Sequence, residues 1–285
     1  MRLCRYDDNR LGVVRDGQIF DVTPALDLLP AVRWPLPPGD LLIANLAKLK
    51  PEIEKLARGN KSKSVDDVKF LSPVANPSKI VAAPVNYQKH IDEARVDANI
   101  NFGQDVKTID FYGVFLKSSS ALVGAGEGVA LRFTDRRNDH EAELGVVIGK
   151  TANKVSRAKA MDYVAGYSIA LDMTVRGTED RSLRKSLDTY AVLGPWLVTP
   201  DEIPNPGNLE FSIKVGDELR QHANTKDLIF DIPKLIEYAS SFYTLHPGDI
   251  IMTGTPEGVG PVKPGDVMHV EFEEIGKMDV AVRAA

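Results

Sequence analysis

The chain has 285 residues, 43% of them hydrophobic and 26% charged, ordinary globular values that argue against disorder, coiled coil and collagen. Thirty-five Lys and Arg against forty Asp and Glu leave a net charge of −5, which offers no electrostatic footprint for nucleic acid. Cys4 is the only cysteine, so no intramolecular disulfide and no thiolate zinc cage can form.

The length suits one large domain or two unequal ones. The opening Met1-Arg2-Leu3-Cys4-Arg5-Tyr6-Asp7-Asp8 is too polar for a signal peptide. No apolar run approaches the roughly 20 residues of a membrane helix. A soluble, cytoplasmic protein with no membrane partner is expected. Residues 1–78 hold 12 basic and 10 acidic residues and residues 79–285 hold 23 and 30, so the acidic excess lies in the second part. The first part reads as short strands: Arg10 to Val14, a turn at Asp16-Gly17, then Ile19 to Val22. Four prolines between Pro30 and Pro38 exclude a regular element there. Leu42, Leu46, Leu49, Ile53 and Leu56 are at helical spacing, and Pro51 makes this one kinked helix or two short ones. Ser72-Pro73-Val74-Ala75-Asn76-Pro77 is the linker that divides a small domain, 1–75, from a larger one, 76–285.

Beyond it strands dominate. Lys79 to Val85 is an apolar run, and Gln88 to Arg95 is helix-like. Asn99 to Tyr112 lacks periodicity and is long enough to act as a lid. Glu141–Ile148, Val164–Thr174, Leu209–Val215, Asp249–Thr253 and Val267–Phe272 read as strands. Ser156–Met161, Thr178–Leu187 and Ile232–Phe242 read as helices. The class is α+β, with the sheet dominant.

Strand alternation puts Glu141 and Glu143 on one face, opposite Ala142, Leu144, Val146 and Ile148. They are either a solvated edge or two ligands of a cation. Asp172 closes another apolar strand, where an unpaired charge is costly. Three converging carboxylates without thiolates or paired histidines suit a hard cation, Mg²⁺ or Mn²⁺ before zinc. His90 and Glu93, at i,i+3, meet on one helix face, as a surface pair or as an imidazole oriented by a carboxylate. Arg184-Lys185-Ser186-Leu187-Asp188-Thr189 is a solvated helix end or an anion-binding corner. Thr253-Gly254-Thr255-Pro256-Glu257-Gly258-Val259-Gly260 allows close backbone approach but lacks the Lys-Ser/Thr ending of a phosphate loop.

Taken in order, the segments from Lys79 onward resemble the fumarylacetoacetate hydrolase family, in its acylpyruvase and 2-oxo-diacid hydratase-isomerase branch. The resemblance rests on Asn86-Tyr87-x-x-His90-x-x-Glu93, Phe115-Leu116-Lys117-Ser118, His140-Glu141-Ala142-Glu143-Leu144-Gly145, Leu171-Asp172-Met173-Thr174-x-Arg176, Lys185-Ser186-Leu187-Asp188-Thr189 and Thr253-Gly254-Thr255-Pro256. It implies a mixed β-sandwich roll behind a small N-terminal α/β domain, in a homodimer. It also implies Glu141, Glu143 and Asp172 as ligands of Mg²⁺, with Mn²⁺ or Ca²⁺ as alternatives. His90, Glu93 and Lys185 match catalytic residues, and Arg176, Glu179, Thr189 and Thr255 match positions at or near the substrate. The implied activity is hydrolysis of a C–C bond in an acylpyruvate or fumarylacetoacetate-type diketone acid, a small anionic 2-oxo acid. A decarboxylase, an isomerase or hydratase of a dienoic 2-oxo diacid, and a metal-stabilised binding protein are the alternatives. Two departures stand out: Gly177 and Glu179 replace an expected carboxylate and a neutral amide, and Ala82-Ala83-Pro84-Val85 stands where a glycine-containing turn is commoner.

Overall fold

The computed structural model describes residues 1–59 and 61–285. It is a strand-rich α+β structure built on a large mixed sheet. Side by side in its centre run Ala191–Val198, Val164–Asp172, Ala142–Ile148, Ile250–Met252, Ile80–Ala82 and Phe115–Lys117. The N-terminal strands Arg2–Tyr6, Arg10–Arg15 and Gln18–Asp21 extend this sheet, because Arg2 and Leu3 pair antiparallel with Val198 and Leu197. Residues 1–75 therefore share a sheet with the rest of the chain, and the proline linker marks a turn between two parts of one hydrogen-bonded surface.

Both faces of the central strands are buried, and each meets a different partner. Ala142, Leu144, Val146 and Ile148 pack with Phe211, Ile213, Val270 and Phe272. Those residues come from a second sheet formed by Glu218–Asn224, Glu210–Val215, Val267–Phe272, Gly276–Ala284 and Val129–Leu131. The result is a sandwich. On the opposite face Val147, Ala170, Leu193 and Leu197 pack with Ile43, Leu46, Leu49 and Ile53. These last four line one side of the helix Leu41–Leu56, which runs unbroken through Pro51 and begins where the Asp40 side chain accepts from the Ile43 N–H.

The alternating pattern locates the site. Glu143 lies opposite Ala170, and the Asp172 N–H donates to the Glu141 carbonyl at 2.9 Å, so the three acids sit together at one end of the helix-covered face. Three expected elements differ. Thr178–Leu187 is not a full helix; only the turn Arg181–Arg184 is helical. Ser156–Met161 is replaced by a 3₁₀ segment, Arg157–Tyr163. The stretch 99–112 folds onto the protein as two short helical turns, Ala98–Asn101 and Ile109–Tyr112, and Val106 packs against Ile91 and Ala94.

Candidate active site

A cavity of about 120 Å³ opens above the three acids. His90, Glu141, Glu143, Asp172, Arg176, Lys185 and Thr255 all line it. Ligand atoms from Glu141, Glu143 and Asp172 lie within 4.8 Å of one another, and all three residues are buried.

The carboxylates are held very differently. Glu141 meets Lys185 Nζ at 2.5 Å, Arg176 at 3.2 Å and the Thr174 hydroxyl at 3.3 Å. Burial opposes its charge, but Lys185, Arg176 and His90 more than offset that and hold its carboxyl at about 2. Asp172 meets Lys185 Nζ at 2.8 Å and is also bound by Lys117. Glu143 accepts from the Gly254 N–H at 2.7 Å. Burial first, then Asp172 and Glu141, push its carboxyl well above the usual carboxylate range. A hard divalent cation fits this place: all donors are carboxylate oxygens, and Glu143 lacks a side-chain cation of its own among the described residues. Gly254 is required beneath it, because its φ is +98° and a Cβ there would stand 2.7 Å from Asn86 Cβ.

His90 enters from the helix Gln88–Val96. Its Nδ1 lies 2.9 Å from Glu93 Oε2, and the Gly258 N–H fixes the other Glu93 oxygen at 2.9 Å. With Nδ1–H donated to the carboxylate, Nε2 is left as the basic nitrogen. The turn before this helix explains one departure in the sequence. Val85 takes φ +44°, the left-handed region that glycine tolerates and a β-branched residue resists. Asn86 holds it there: its side chain donates to the Phe230 and Thr253 carbonyls at 2.9 and 2.8 Å and accepts from the Phe230 N–H at 2.7 Å.

Thr255 sits at the cavity wall, its hydroxyl accepting from Gln221 Nε2 at 2.8 Å. Arg176 reaches both Asp139, at 2.7 Å, and Glu141. Two expected residues are not brought in. Glu179 is drawn off by Arg136, and Thr189 turns away to accept from the Ala130 N–H at 2.8 Å. Sequence reasoning gave no role to Lys117 or Arg181, and it left Arg184 in a segment that was either a solvated helix end or an anion-binding corner. Lys117 is fully buried and joins Asp172 to the Lys185 carbonyl; a lysine closing the apolar strand Phe115–Lys117 was the available signal. Arg181 and Arg184 line the cavity beside Tyr112 and Phe115.

Residues 79–283 match the family described as fumarylacetoacetate (FAA) hydrolase C-terminal. A curated relative, the maleylpyruvate hydrolase of Aquipseudomonas alcaligenes, is 57% identical over 286 residues, covering 100% of both chains. The crystal structure of maleylpyruvate hydrolase from Sphingobium sp. SYK-6 with manganese(II) and pyruvate is similar at 41% identity and a TM-score of 0.84, again covering 100% of both. The 5-carboxymethyl-2-hydroxymuconate delta-isomerase of Mycobacterium smegmatis is similar at 29% identity and a TM-score of 0.71, with 100% of both chains covered.

Proposed function

Because the chain belongs to the fumarylacetoacetate hydrolase family, we propose that it is a divalent-metal-dependent hydrolase that cleaves a C–C bond in an acylpyruvate, with maleylpyruvate the first substrate to try. The observation that carries this reading is one cavity holding both an acid triad and a carboxylate-oriented histidine. The similarity to two maleylpyruvate hydrolases, one of them with manganese and pyruvate, supports it.

Glu141, Glu143 and Asp172 would hold Mg²⁺, or Mn²⁺ or Ca²⁺ in its place, which supplies Lewis-acid charge for the oxygens of a 2-oxo acid. His90 Nε2 takes a proton from water as the oxygen attacks the distal carbonyl, with Glu93 fixing the ring. The bond between that carbonyl carbon and the methylene of the pyruvate half then breaks. The electron pair passes to the pyruvate enolate, which takes a proton to give pyruvate, and the acyl half leaves as a carboxylic acid. Lys185 Nζ, already between two of the acids, stabilises the negative charge that develops. Thr255 and Arg176 line the cavity as substrate contacts. Glu179 and Thr189 would act only through the loops that carry them.

Residues 76–285 supply the whole site and act as the catalytic domain, with residues 1–75 bracing its sheet. We further propose a cytoplasmic homodimer, supported by exposed Phe111 and Leu183 beside cavity-lining Tyr112 and Arg184. No helix among the described residues is long and apolar enough to cross a membrane. Turnover of acylpyruvates with Mg²⁺ or Mn²⁺, read by pyruvate release, tests the activity. An oxaloacetate decarboxylation or a double-bond shift in a 2-oxo diacid, without acylpyruvate cleavage, would replace it with a lyase or an isomerase.

A further inference from the structure

We infer that Arg181 is the specificity-determining residue of this cavity and that it binds the second carboxylate of a dicarboxylate substrate such as the maleylpyruvate proposed above. The position of the reacting end rests on the acylpyruvate reading above.

The loop that presents Arg181 is shaped by the departures at Gly177 and Glu179. Arg136 grips Glu179 with both prongs, each at 2.9 Å, and donates to the Arg176 carbonyl at 2.7 Å. Only glycine leaves room for that grip: a Cβ at Gly177 would lie 2.1 Å from Arg136 Nη2 and 2.2 Å from Glu179 Oε2. The Glu179 carboxylate is thereby neutralised away from the cavity. Arg184 Nε donates to the Glu179 carbonyl at 2.8 Å, and Asp180 caps the turn by accepting from the Ser182 N–H at 2.8 Å. The turn then places the Arg181 guanidinium over Tyr112 at 4.9 Å and over Phe115 at 5.5 Å. Lys185 Nζ lies 5.6 Å from the centre of the same Phe115 ring while it bonds Glu141 and Asp172. Arg181 and the acid triad therefore flank one aromatic ring.

Charge decides what Arg181 can do there. Lys185 and Arg176 are each paired with buried acids, whereas Arg181 has no carboxylate partner among the described residues. A guanidinium laid on two rings has its orientation set in advance, and its free edge matches a carboxylate with two parallel hydrogen bonds. A substrate with a neutral tail would leave that edge unpaired.

Calorimetry with Mn²⁺ present, using 2-oxoheptanedioate and 2-oxoheptanoate, isolates the second carboxylate at constant chain length. The wild-type chain is expected to prefer the diacid, and Arg181→Met to lose about 10- to 100-fold in diacid affinity with the monoacid unchanged, as expected for a hydrogen bond to a charged group. Arg181→Lys should keep part of the preference, and it serves alone if the methionine variant does not fold. A diacid preference that stays undiminished in either folded variant, or an equal loss for both ligands, overturns the assignment. Wild-type turnover of maleylpyruvate and acetylpyruvate is measured separately. If neither is cleaved while the diacid preference still depends on Arg181, the hydrolase reading falls and the Arg181 assignment stands.

Discussion

The two ends of the cavity are built on opposite electrostatic plans. At the sheet end, three buried carboxylates share two lysines and an arginine, and Glu143 is left without a side-chain cation among the described residues. At the loop end, Arg181 lies on aromatic rings with no acid to meet it among the described residues. One end calls for a cation and the other for an anion. A ligand that chelates at one end and carries a carboxylate at the other answers both at once.

Removing the acid end should have the largest effect. Glu141→Ala, Glu143→Ala and Asp172→Ala should each weaken Mg²⁺ binding and lower turnover by about 10³-fold or more, since Lewis-acid charge supplies several kcal/mol of stabilisation. Calorimetric Mg²⁺ affinities that stay unchanged in two of the three would break the comparison. His90→Ala should cost about 10²–10⁴ in acylpyruvate hydrolysis while metal affinity holds. Single-turnover rates check it, and a wild-type rate would remove the histidine from the chemistry.

Lys117→Met probes how the acid end is held. Removing one partner of a buried ion pair costs about 3–5 kcal/mol, so a melting temperature lower by roughly 10 °C is expected for a chain of this size. Added Mg²⁺ should restore part of that loss, because a bound cation stabilises the folded state and compensates Asp172. A melting curve that matches wild type would mean that Lys117 braces nothing. The smallest effect is expected from Gly177→Ala at the loop end. The atoms in its way are the tips of Arg136 and Glu179, which can move, so the melting point should change little. The preference for a diacid over a monoacid should fall a few-fold as the turn shifts, and an undiminished preference would separate the Arg136 grip from Arg181.

Much of the acid end was legible in the sequence, because strand alternation alone places Glu141 and Glu143 on one face and Asp172 at the end of an apolar run. Glu93 beside His90 was legible for the same reason, at helical spacing. The loop end was not. Reading residues 178–187 as a regular helix leaves Arg181 on a solvated face and Arg184 at a helix end that is either solvated or anion-binding, whereas the ion pair of Glu179 with Arg136, 43 residues earlier, bends the chain into one turn. Strand Ala191–Val198 was also missed, since Gly194-Pro195 reads as a breaker. The sheet absorbs the proline where the pairing of Tyr167 with Val198 gives way to Ile169 with Gly194. Ser168 bonds the Gly194 and Trp196 carbonyls at 3.1 and 2.9 Å at that irregularity. Such compensation depends on residues far away in sequence, and local patterns do not record it.

The strand Ile250–Met252 lies between Ala142–Ile148 and Ile80–Ala82, and it is parallel to the latter. This order has a consequence for how the site comes into being during synthesis. The Gly254 amide that holds Glu143 is 111 residues further along the chain, and the Gly258 amide that holds Glu93 is 165 residues further. Glu143 and Glu93 must therefore wait for nearly the whole polypeptide before either finds its backbone partner. Contacts of such long separation are slow to form, because the loops must close before any bond rewards the closure. The acid triad is thus completed among the last parts of the fold, and a nascent chain halted before residue 254 would carry its acidic strands without the loop that organises them.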